Sequence, residues 1–246
     1  LGGILGAAVL IAALAGSAFA APSVTDAYQA TASKVLADTP APTISSVGGD
    51  WAVLGLSRSG YAVPASYYSD YAERVAEAMQ QARGSLSGTK YTEYSRLILA
   101  LTAIGEDVTD VGGYNLLAKL ADFDSVKKQG MNGLIFALLA LECHDYEVPT
   151  IEGISTHTSR ELLLQELLSR EITAADGTVG GFALTGNVAD PDVTAMALQA
   201  LAFYQDDAKV QPVIERGISA LSRLQDNKGG FAAWDSRNSE SVAQAI

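Results

Sequence analysis

The residue types best suited to chemistry lie in one short run, Ala189-Asp190-Pro191-Asp192-Val193-Thr194-Ala195-Met196. Two neighbouring carboxylates in a dry cavity resist ionising together, so one of them can stay protonated and serve as a strong general acid. The same residues have a simpler use. Asp190, or Asp192 with Thr194, can accept from the free N–H groups of the helix that follows, and Pro191 suits its first turn. The sequence leaves both uses open. A second set, Cys143, His144 and His157, holds the single cysteine and both histidines. Neighbours at a helix end point about 100° apart and His157 falls in a loop, so no zinc site is expected. Cys143 is expected to be a small buried apolar residue. There is no Gly-rich phosphate loop, no Ser-His-Asp order and no His-Glu-x-x-His run, so no other enzymatic signature is found.

The elements that must position these residues read as helices. The 246 residues are 48% hydrophobic, enough for a large core and incompatible with disorder. A net charge of −12, with no clustering of the basic residues, opposes nucleic-acid binding. One cysteine excludes an intramolecular disulfide framework.

The first twenty residues, LGGILGAAVLIAALAGSAFA, carry no charge and end on Ala18-Phe19-Ala20. That is the pattern of a secretory signal peptide cleaved before Ala21, with a membrane anchor as the competing reading. Residues 21–246 then form the folded domain. The absent basic leader and the apolar end at Ile246 give the expectation of a chain cut at both ends, with further domains downstream.

Apolar residues recur at three and four residues from Ser23 onward, so the expected class is all-α. Five segments are apolar nearly all round: 50–56, 94–105, 131–143, 193–204 and 241–246. Helices of that kind must be covered on most sides. Between them lie amphipathic stretches at 67–83, 114–123, 159–171 and 209–225, preceded by one at 24–38 that ends at Pro40 and Pro42. Leu56, Leu101, Leu141, Leu201 and Ile246 align at spacings of 45, 40, 60 and 45 residues. One amphipathic and one buried helix per unit describe stacked hairpins, and two architectures fit: an open solenoid of the HEAT or TPR kind, which usually holds a tighter period, and a double-layered closed ring, which tolerates variable loops and is preferred, an α/α toroid left incomplete at about five hairpins. The pairs Gly48-Gly49, Gly180-Gly181 and Gly229-Gly230 precede Asp50-Trp51, Phe182 and Phe231. Glycine is expected to supply a positive φ that ends the outer helix, and the aromatic to pack between hairpins.

Arg216-Gly217, Leu221, Gln225, Gly229 and Phe231 resemble the QW repeat of the terpenoid cyclase and protein prenyltransferase superfamily. Ala220 stands where that repeat has an aromatic, and Phe231 where it has Trp. The resemblance implies an α/α toroid from about Ser23 to the end, and a ring whose closing piece lies beyond Ile246. The acidic run is similar to the Asp-x-Asp-Asp-Thr-Ala motif of squalene and class II diterpene cyclases, in which a central Asp protonates an alkene or epoxide. Asp190 and Asp192 match its first two acids and Val193 replaces the third. If the chain were an enzyme, those two would be its catalytic residues. The zinc ligand set of the prenyltransferases is not present around Cys143.

The patterns DWAVLGLSRSG, YTEYSRLILALTAIGED and DPDVTAMALQALA resemble exported bacterial surface toroids, related to the toroid domain of the cobalamin carriers. This implies a secreted or cell-surface, non-enzymatic module that holds a ligand at the mouth of its cavity. Its candidate binding residues are Trp51, Asp190, Asp192, Thr194, Phe231, Trp234 and Asp235. No cofactor is expected, though kinship makes a corrinoid a candidate ligand, and the membrane is involved only through the export signal. The alternative is a terpenoid cyclase or prenyltransferase-like enzyme with an incomplete acid motif.

Overall fold

The computed structural model describes residues 23–233, 236–237 and 239–245. The proposed signal segment, Trp234, Asp235 and Ile246 lie outside the described residues. The chain is mostly helical. Its helices are α1 (Val24–Asp38), α2 (Asp50–Arg58), α3 (Ala65–Gln81), α4 (Thr92–Ala103), α5 (Phe123–Val126), α6 (Gly130–Glu142), α7 (Arg160–Leu168), α8 (Pro191–Leu201), α9 (Gln211–Leu224) and α10 (Ser239–Ala245). Strands β1 (Ala232–Ala233) and β2 (Ser236–Arg237) form a short antiparallel pair.

The five apolar segments become α2, α4, α6, α8 and α10, and each packs on the next: α2 on α4, α4 on α6, α6 on α8, α8 on α10. Burial explains why they had to be apolar all round. Helix α6 buries Met131, Gly133, Leu134, Ile135, Ala137, Leu138, Ala140 and Leu141, which leaves almost no wet face. The aligned leucines Leu56, Leu101, Leu141 and Leu201 are all buried, each worth about 1.5–3 kcal/mol of transfer free energy. The other helices bury one stripe. In α3 that stripe is Tyr67, Tyr71, Val75 and Met79, spaced by four, as a helix with one covered face requires. Helix α7 buries Leu163 and Leu167 against α6, and α9 buries Val213, Gly217 and Ala220 against α8.

Local chemistry fixes the joins. The side chain of Ser23 caps α1 and Asp26 returns a bond to the Ser23 N–H, closing a capping box. Near the ends of α6 and α8, Glu142 accepts from Arg160 Nε at 2.7 Å and from the Tyr204 hydroxyl at 2.6 Å. Around α9, Arg216 grips Glu171 through Nε at 2.8 Å and Nη2 at 2.7 Å. A Cβ on Gly217 would come within 2.8 Å of Leu198, so glycine there lets α8 and α9 approach. Gln225 Nε2 donates to the Gly229 carbonyl at 3.2 Å and closes the turn after α9.

Four sequence expectations need correction. Residues 114–123 form no amphipathic helix: they hold a 3₁₀ turn (Leu117–Leu120) leading to α5. Gly112 and Gly113 turn left-handed, Asn115 Oδ1 accepts from the Leu117 and Ala118 amides, and Leu116, Leu117, Leu120 and Ala121 are all buried. Local side-chain bonds thus outcompete the helical ladder. Second, Gly49 has φ 171, which is extended backbone. It is needed for space, because a Cβ would stand 2.7 Å from Pro42 Cβ and from Thr43 N. Third, Gly180 and Gly181 do have positive φ, but lie well past the end of α7, in a loop where the Ile172 amide donates to the Gly181 carbonyl at 3.0 Å. Fourth, Cys143 is exposed at the C-terminal cap of α6. Its position just past the apolar run, where the chain leaves the core, explains the difference.

Candidate functional site

The helices packed in series share a cavity of about 250 Å3. Its walls among the described residues are Trp51 of α2, Thr92 and Arg96 of α4, Asn132 and Phe136 of α6, and Gln244 of α10. Four helices therefore contribute to one half-open pocket, and most of what they contribute is polar. Apolar helices that nonetheless present Thr, Arg, Asn and Gln to a shared space have kept those groups away from the packed core.

The floor of this site is a buried ion pair. Asp50, the first residue of α2, is 0% exposed. It accepts from Arg96 Nε at 2.6 Å, from the Tyr71 hydroxyl at 2.8 Å and from the Ser45 amide at 3.3 Å. Burial first, and the Asp50 carboxylate beside it second, push the Tyr71 hydroxyl far above the ordinary tyrosine range, so it stays a donor. Arg96 is thereby fixed through Nε alone, and its two terminal nitrogens have no hydrogen-bond partner among the described residues. On α6, Asn132 Oδ1 is buried and has no partner. An orphaned buried acceptor of this kind costs about 1–3 kcal/mol unless something supplies a donor. The Trp51 and Phe136 rings stand 5.7 Å apart at 46°. Trp51 is 39% exposed. Next to the wall, Gln129 Oε1 accepts from the Thr92 amide at 2.7 Å and Gln129 Nε2 donates to Thr92 Oγ1 at 3.1 Å, so the start of α4 is held by the residue before α6.

Of the sequence candidates, Trp51 alone lines this cavity among the described residues. Asp190 is the N-cap of α8, its Oδ1 accepting from the Val193 amide at 2.9 Å, with Pro191 in the first turn. Asp192 makes no cap bond, and its buried Oδ1 has no partner. Thr194 is fully buried and ties α8 to the preceding loop, accepting from the Phe182 amide at 2.9 Å and donating to its carbonyl at 3.1 Å. Phe231 is buried in packing. Burial thus removes Thr194 and Phe231 from the residues a ligand can touch. Trp234 and Asp235 lie outside the described residues. Among the described residues no group of three or more His, Cys, Asp and Glu could hold a metal ion, and no helix is long and apolar enough to cross a membrane.

Sequence reasoning missed Asp50, Thr92, Arg96, Asn132 and Gln244. A signal for some of them was present in the repeat. Thr92, Asn132 and Asp192 each stand nine residues before the aligned Leu101, Leu141 and Leu201, and Trp51, Arg96, Phe136 and Met196 stand five before theirs. In α4 and α6 both positions, and in α2 the second, face the pocket, whereas Asp192 and Met196 of α8 do not line it.

No family model, no curated protein and no solved structure matches the chain.

Proposed function

We propose that the chain is an exported, non-catalytic α/α-toroid module of bacterial origin that binds a ligand in the space enclosed by its inner helices. The observation that carries this reading is the pocket itself: α2, α4, α6 and α10 all contribute walls to one polar space, which supports a row of hairpins that curves round on itself. Binding rather than turnover is supported by the acidic run, where Asp190 is consumed by its capping bond and the third acid of the cyclase motif is Val193. A corrinoid, the ligand that kinship with the cobalamin carriers implies, is too large for about 250 Å3 and would have to lie across the mouth, against a further domain.

One observation favours the enzymatic alternative. Asp192 Oδ1 is buried without a hydrogen-bond partner among the described residues, at the position that matches the second acid of the cyclase motif. The experiment is an assay of the chain and of Asp192→Asn with squalene and prenyl diphosphates. The binding reading expects no cyclisation or prenyl transfer by either protein. Turnover by the wild type, lost in Asp192→Asn with an unchanged melting temperature, would replace it with the cyclase reading.

A further inference from the structure

We draw no further inference here: the strongest candidate, the groove of about 230 Å3 between the 172–189 loop and α9 in which Asp176 and Arg223 offset each other's charge, is an unpartnered apolar face, and nothing in the structure shows what covers it.

Discussion

Removing the Asp50 carboxylate should be the most damaging single change near the cavity. In Asp50→Ala the Arg96 guanidinium, whose side chain is 12% exposed, loses its ion partner while staying buried, and the Tyr71 hydroxyl loses its acceptor. Stranding one member of a buried pair costs about 3–5 kcal/mol. For a chain of this size about 1 kcal/mol moves Tm by about 2–4 °C, so the midpoint should fall by about 6–20 °C. The double variant Asp50→Ala/Arg96→Met leaves no uncompensated charge and should recover much of that loss, giving a coupling well outside additivity. Tyr71→Phe should cost about 1 kcal/mol. Thermal and urea unfolding followed by circular dichroism read these three variants, the single variant Arg96→Met and the wild type, five proteins in all. A loss below about 1 kcal/mol in Asp50→Ala, or a double variant as unstable as the sum of its parts, would refute the claim that this pair ties α2 to α4 beneath the cavity.

Two further outcomes follow from local geometry. Asp190→Ala should destabilise α8 by about 0.5–2 kcal/mol, the usual cost of an N-cap, and Asp192→Ala by less, since the cap bond belongs to Asp190; denaturation midpoints of the two variants decide the order. Asp226 is held down to about 2, first by its hydrogen bond from Arg237 and then by those from the Gly230 and Lys228 amides. A depressed carboxylate contributes stability above its unfolded value and loses it as pH falls through the folded one. The amide resonances of Lys228 and Gly230 should therefore keep their native shifts as pH drops past 4 and change only near pH 2. A transition centred near the ordinary Asp value would mean that the Asp226 to Arg237 contact is not formed in solution.

The buried helices were legible in the sequence because burial on nearly all sides demands an unbroken apolar run, and 131–143 could hardly be anything else. The leucine register was legible for the same reason. Residues 114–123 were misread because their apolar spacing fits a helix equally well, while Gly112, Gly113 and the Asn115 side chain decide the backbone locally. Gly49 was read for its torsional freedom when what it supplies is the missing Cβ beside Thr43. In the candidate site, Trp51 was visible as an aromatic beside a glycine pair. Arg96 and Asn132 were hidden by the habit of reading a lone polar residue in an apolar helix as incidental. Asp50 shows the limit most clearly: its partner lies 46 residues away, and no local pattern links the two.

The central claim is that the helices packed in series curve round until α10 faces α2 across one cavity. Spin labels at Trp51→Cys and Gln244→Cys, in a Cys143→Ser background, measure this directly by pulsed dipolar spectroscopy. A cavity of about 250 Å3 is about 8 Å across if spherical, so labels on its opposite walls should lie within about 20 Å. In an open row, four interhelical steps of about 8–10 Å would separate α2 from α10 by about 32–40 Å. A narrow distribution below about 20 Å is the result the ring predicts, and one centred in the longer range would contradict it.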